Sequence, residues 1–160
     1  EALCYDVAND RLLIAPKSGP KGSPAARDQR NIYGWDRARH QQLDAPAFQF
    51  SMAQLIREAR DLGVDLAMKP SKEDRSNTPF RLRASSIYVH PLDNTLWILC
   101  AVDRVLLVVG RDGHLIDAMR LDPKRFPQAE GLTFLPNGDL LISNEGVGRP
   151  ADLLHFARKP

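Results

Sequence analysis

Over most of the chain the apolar residues come in short runs of four to six, alternating with polar ones and broken by turns. "EALCYDVANDRLLIA" from Glu1, "SSIYVHPLDNTLWIL" from Ser85 and "EGLTFLPNGDLLIS" from Glu130 follow one plan: an apolar strand, a turn on Asn-Asp, Asp-Asn or Asn-Gly, and a second apolar strand. That plan predicts three β-hairpins. Ser85 and Glu130 lie 45 residues apart, close to the roughly 40–45 residues of a four-stranded propeller blade. The middle copy shows the whole unit in "SIYVHP", "TLWILCA", "RVLLVVG" and "HLIDAMRLD". The stretch from Glu1 to Ser85 is nearly twice as long, yet adds only "LCYD", "RLLIAP", "NIYGWD" and "PAFQF" as strands. The rest reads as insertion. Helical spacing is found in "SMAQLIREARDLGV", where Leu55, Ile56, Ala59 and Leu62 share a face, Ser51 is placed to cap and Gly63 to end it. A helix near 52–62 follows, between the polar loops "KSGPKGSPAARDQR" and "KPSKEDRSNTPFR". After "LLISNEG" comes "DLLHFARK", a third strand with no fourth.

The expected fold is all-β: a β-propeller of four-stranded antiparallel blades, with blades near 1–50, 85–121 and 130–158 and an insertion near 51–84. Three blades make a partial ring, because closure takes about four to eight. Further blades or a second chain are needed to complete it. Trp35, Trp97, Tyr33 and Phe134 are expected to pack between blades.

Composition narrows the possible partners. With 43% hydrophobic residues the 160-residue chain can bury a core, and 22 basic against 20 acidic residues leave no unneutralised cationic stripe for nucleic acid. The cations between Arg57 and Arg83 are interrupted by Glu58, Asp61, Asp65, Glu73 and Asp74, as on a solvated surface. No stretch approaches the ~20 apolar residues of a membrane span. The sequence starts at Glu1 with neither methionine nor a leader, so an export signal is not visible in it. Cys4 and Cys100 sit in apolar runs without zinc-ligand spacing and read as buried thiols, with a disulfide between them left open.

Candidate chemistry centres on carboxylates. Innermost propeller strands run beside the central axis, so residues at one height in successive blades converge there. Glu1 and Glu130 hold matching places, with Ser85 between them, and converging carboxylates repel unless a cation or water intervenes. Calcium suits such oxygen ligands. Asn144 and Glu145, at the outlet of the second strand of the last repeat, can add oxygens, which makes Glu1, Glu130, Asn144 and Glu145 the candidate metal set. The competing reading has these glutamates capping turns or pairing with arginines, and Asn144 shaping its loop. Asp10, Asp112 and Asp139 read as turn residues bonding local amides. His40, His90, His114 and His155 form no recognisable catalytic constellation, and His90 reads as a structural, hydrogen-bonded ring near a channel mouth.

In this order, "EALCYDVANDRLLIAPKSGP", "IYGWD", "SSIYVHPLDNTLWIL", "LLVVGRDGHLI" and "LDPKRFPQAEGLTFLPNGDLLISNEG" resemble the SdiA-regulated family of bacterial β-propellers, also described as phytase-like. The resemblance implies a six-bladed ring, of which this is the C-terminal portion, in a periplasmic or cell-envelope protein, with calcium among relatives. Two functions follow as expectations. One is a noncatalytic module that binds calcium, a protein or a small molecule. The other is a metal-dependent hydrolase of the phytase or lactonase type, in which the ion activates water or polarises an oxygen.

Overall fold

The computed structural model describes residues 1–17, 19, 23, 28–66, 80–146 and 148–159. Most of the two polar loops flanking the first hairpin and the helix lies outside these residues.

Sheet 1 begins with β1 (Ala2–Asp6) and β2 (Arg11–Ala15), antiparallel with Cys4 opposite Leu13. One 3-10 turn over Val7–Asn9 joins them and closes on Asp10, whose φ of 45° is a left-handed conformation that aspartate tolerates. β3 (Gln29–Asp36) pairs with β2 through its second half. Its free edge is divided, the end pairing with β4 (Gln41–Gln42) and the start with β5 (Phe48–Ser51). The expected fourth strand is thus two short strands sharing one neighbour. α1 (Met52–Asp61) follows directly. Ser51 caps it by accepting from the Gln54 amide at 3.2 Å, Asp28 accepts from the Ala53 amide, and Gly63 at φ +80° takes the left-handed turn beyond its end. Met52, Leu55 and Ala59 form its buried stripe.

Sheet 2 is an up-and-down run of β6 (Ser86–Val89), β7 (Leu96–Cys100), β8 (Val105–Val109) and β9 (Leu115–Arg120). Every residue of β8 is buried, as a strand covered on both faces requires. Sheet 3 holds three strands, β10 (Ala129–Phe134), β11 (Leu140–Asn144) and β12 (Asp152–Phe156), in that order.

Register shows that the three hairpins are one repeat. Leu3, Ile87 and Leu132 stand opposite Ile14, Ile98 and Ile142, and two residues on Tyr5, Val89 and Phe134 stand opposite Leu12, Leu96 and Leu140. Directly opposed residues share a sheet face. In sheets 2 and 3 this face looks back toward the preceding sheet: Ile87 and Ile98 pack with Cys4, Leu13 and Ala15 of sheet 1, and Leu132 and Ile142 pack with Leu99, Leu106 and Trp97 of sheet 2. The first strands lie side by side, β6 between β1 and β10. Ser85 and Ser86 tie that seam, Ser85 Oγ donating to the Ala129 carbonyl at 3.0 Å and Ser86 Oγ accepting from the Leu132 amide at 3.1 Å. Antiparallel sheets stacked face to face, with first strands adjacent along one side, are a partial propeller-like array.

The aromatic expectations divide. Phe134 meets Trp97 edge-on at 4.9 Å and His90 at 4.6 Å between sheets 2 and 3. Tyr33 and Trp35 instead face away from sheet 2, and Trp35 is exposed, because the described residues place no sheet against that side of sheet 1. Cys4 and Cys100 are free and buried; burial first, then the nearby Asp6 charge, pushes the Cys4 thiol up to about 12. Such thiols are inert hydrophobes.

Candidate functional site

The end of sheet 3 where β10 starts, β11 stops and β12 starts forms an open cavity of about 520 Å³ lined by Glu130, Ser143, Asn144, Glu145, Ala151, Asp152 and Leu153. Three of the four candidate residues therefore lie together. Glu1 holds the matching place ahead of β1, two positions before Leu3 as Glu130 is before Leu132, but does not line this cavity.

Local structure explains how each side chain is held. The β10–β11 register slips between Ala129 and Gly131, making Glu130 the extra residue of a β-bulge. Bulges re-aim side chains at strand ends. Glu145 is fixed by its own amide, which donates to the Gln128 carbonyl at 2.9 Å. The Gln128 side-chain amide donates both to Glu130 Oε1, at 3.3 Å, and to Glu145 Oε2. One neutral group thus holds two carboxylates, offering each a proton without adding charge.

Asn144 is the most constrained member. The residue is only 3% exposed, and its Nδ2 donates to the Arg125 carbonyl at 3.3 Å and to Asp152 Oδ1 at 2.6 Å. Among the described residues its Oδ1 is buried with no hydrogen-bond partner. A buried polar oxygen left unpaired costs roughly 1–3 kcal/mol and calls for an explanation. Asp152 faces Asn144 across the β11–β12 pair and also meets Arg149 at 3.5 Å.

By donor type the cavity suits a hard cation: carboxylates of Glu130, Glu145 and Asp152, plus an amide oxygen seeking a positive partner. Among the described residues no three His, Cys, Asp or Glu side chains come together closely enough to hold a metal. The carboxylates alone therefore make no cage.

Gln128 and Asp152 went unnoticed in the sequence. Asp152 was open to hairpin arithmetic, since pairing "LLISN" with "DLLHF" sets it opposite Asn144. Nothing in the sequence marks Gln128.

Asp6, Asp10, Asp112, Asp139 and His90 have structural partners. Asp6, wholly buried, meets Arg111 and Arg11 (3.0 Å) and accepts from Asn9 at 2.9 Å. Burial opposes its charge, but the hydrogen bonds from Arg111, Asn9 and Arg11 prevail and hold its pKa below the usual carboxylate value. Because Arg111 stands in the β8–β9 turn, this pair joins sheet 1 to sheet 2. Asp112 bonds a local amide, that of His114, as expected of a turn residue. Asp10 and Asp139 do not: Asp10 binds Arg37 and Tyr5, and Asp139 binds the Arg158 amide and His155, because each turn abuts a neighbouring strand end. His90 is buried beside Trp97 and bonds Asp93 at 3.0 Å.

No family model matches the chain, and no curated protein does. Among solved structures a luciferin-regenerating enzyme is similar, with 11% identity and a TM-score of 0.49 over 90% of this chain and 36% of that one. The chain spans about a third of that protein's length. A likeness this distant assigns neither substrate nor activity.

Proposed function

We propose that the chain is part of a bacterial envelope β-propeller of the SdiA-regulated type, and that it works as a noncatalytic binding module whose cavity on sheet 3 takes a cation, calcium by donor type. The observation that carries this reading is Asn144, whose buried Oδ1 has no partner among the described residues and which lines a cavity together with Glu130, Glu145 and Asp152. A cation held there supplies a partner for that oxygen and offsets the repulsion between carboxylates that Gln128 already moderates. Its effect is to fix the end of sheet 3, not to drive a reaction. The family and the envelope location rest on the resemblance of the sequence motifs alone.

The hydrolase reading needs a base beside the carboxylates. Three histidines are engaged elsewhere: His90 with Asp93 and Trp97, His114 with Glu58, and His155 with Asp139. None lines the cavity. The geometry therefore supports binding better than catalysis.

Thermal melting with and without calcium tests the proposal. A ligand that binds only the folded chain stabilises it by about 2.7 kcal/mol at a hundredfold excess over Kd. The melting temperature should rise with calcium, and Glu130→Gln should reduce that rise while leaving the strands formed. Equal melting curves with calcium and with chelator refute it.

A further inference from the structure

Between sheets 1 and 2, at the end where β2 stops and β3 starts, lies a cavity of about 230 Å³ whose lining includes Ala15, Arg30, Ile32, Leu82, Ala84 and Ile98. Its origin is a break in pairing. β2 and β3 pair only as far as Ile14 and Tyr33, whereas the matching strands of sheet 2 stay paired two residues further, to Cys100 and Val105. The start of β3 pairs with β5 instead, and the small side chains of Ala15 and Ala84 leave the gap open. Tyr33 stands opposite Ile14 as Leu154 stands opposite Ile142, so Ala15, Asn31 and Ile32 hold the places of Ser143, Asp152 and Leu153 in the sheet 3 cavity. The repeat thus opens the same outlet in two sheets. The charge differs: where sheet 3 has Ala151, sheet 1 carries Arg30.

Arg30 is oriented by its own backbone surroundings, Nε donating to the Arg81 carbonyl at 2.7 Å and Nη1 to the Gln29 carbonyl at 2.7 Å. Burial first, then the charges of Arg81 and Arg83, press its pKa below the ordinary guanidinium value, yet a guanidinium keeps its proton. The carboxylates that act on it are held by other groups. Asp28 accepts from Ser51 Oγ at 2.7 Å and from the Ala53 amide at 3.1 Å at the start of α1, and Asp103 accepts from the Arg83 amide at 3.3 Å. The facing wall is fixed too. Leu82 has a φ of 50°, a left-handed conformation that leucine rarely adopts, and it is kept there because the amides of Arg81 and Arg83 both close on Asp103.

We propose that this cavity binds a small organic monocarboxylate, its carboxylate on Arg30 and its apolar body against Ile32, Leu82 and Ile98. Charge sets one half of the class, since an anion relieves the mutual repulsion of Arg30, Arg81 and Arg83 and a guanidinium pairs well with a carboxylate. The walls set the other half: Ile32, Leu82, Ala84 and Ile98 are all buried hydrophobics, which inorganic phosphate would leave without a partner. Size is consistent, because a cavity of about 150 Å³ lined by Leu, Ile and Phe holds benzene. An acid of the size of benzoate or hexanoate fits. The site is separate from the cation site of sheet 3 and does not depend on it.

Calorimetric titration of benzoate and of hexanoate into the chain, in chelator so that the sheet 3 cavity plays no part, tests the proposal. Both should bind saturably. Benzyl alcohol, of benzoate's size without its charge, should bind about tenfold more weakly or worse, the worth of a charge-assisted hydrogen bond. Inorganic phosphate should not displace benzoate. Arg30→Gln should lose a similar factor for benzoate with unchanged circular dichroism. Isoleucine methyl resonances of the native chain locate the site without any variant: those of Ile32 and Ile98 should shift with benzoate, and that of Ile142, between sheets 2 and 3, should not. No saturable binding of either acid, benzyl alcohol bound as tightly as benzoate, or displacement by phosphate overturns the inference. So does a folded Arg30→Gln chain that binds benzoate as the native one does, or a shift at Ile142 with none at Ile98.

Discussion

Replacing Asp6 by asparagine should be among the most damaging isosteric changes in the chain. The carboxylate is wholly buried and receives hydrogen bonds from Arg111, Arg11 and Asn9. Asparagine keeps the shape but carries no charge, and its amide turns N–H donors toward guanidinium donors. Breaking a buried pair by removing one partner costs about 3–5 kcal/mol. Both arginines retain some solvent, with side chains 18% and 31% exposed, so the lower end, about 3 kcal/mol, is expected. Urea unfolding followed by circular dichroism reads this as a lower midpoint at unchanged slope. Arg111→Met should also destabilise, and a double-mutant cycle should give a coupling of about 2 kcal/mol, since the two residues share one interaction. The pH dependence has a fixed sign. The folded pKa of Asp6 lies below its unfolded 3.8, so the contribution is fully present above that value and is lost as pH falls through the folded one. Asp6→Asn should remove that acid limb. A loss under 1 kcal/mol, or no coupling to Arg111, refutes the view that this pair fastens sheet 1 to sheet 2.

Glu58 on α1 meets His114 at 2.8 Å and accepts from the Leu115 amide at 3.0 Å. Burial works against the Glu58 charge, but Gln54, His114 and the Leu115 amide depress its pKa, so its contribution is present above the usual 4.5 and lost as pH falls through the folded value. The bond to Glu58 raises His114, whose contribution is present below the usual 6.5 and lost as pH rises through the folded value. Melting temperature against pH should therefore fall on both sides of the range between, and Glu58→Gln should flatten both limbs. Phe134→Ala, which empties the centre of the Trp97 and His90 cluster, should cost about 3–5 kcal/mol and reduce the near-ultraviolet dichroism of Trp97. Ser86→Ala removes the acceptor of the Leu132 amide in the β6–β10 seam and should cost about 1 kcal/mol in the same urea assay.

The hairpins were legible because alternation and turn chemistry are local. Leu-Leu-Ile after Asn-Asp or Asn-Gly leaves one strand register open, and that register decides which face is buried. The division of β3's edge between β4 and β5 was not legible. Gln41–Gln42 is a two-residue polar strand that owes its existence to Trp35 and Asp36 opposite it, not to its own propensity. The matching places of Glu1 and Glu130 could be read from the repeat, but that Glu130 and not Glu1 lines the sheet 3 cavity could not, since it depends on how the strand ends of that sheet meet. Asp6 was missed for a related reason. In "LCYDVAND" it looks like one more turn aspartate, and its burial comes from Arg111, 105 residues away. Gln128 gives no signal in the sequence, because an amide that bridges two carboxylates is recognised only once the bulge at Glu130 has turned that side chain.

Calorimetric titration of calcium into the chain and into Glu130→Gln tests the central claim, that Glu130, Asn144 and Glu145 border a cation site. The account predicts saturable binding to the native chain and weaker binding to the variant, with β-sheet dichroism unchanged. Equal affinity in both, or no binding to the native chain, contradicts it.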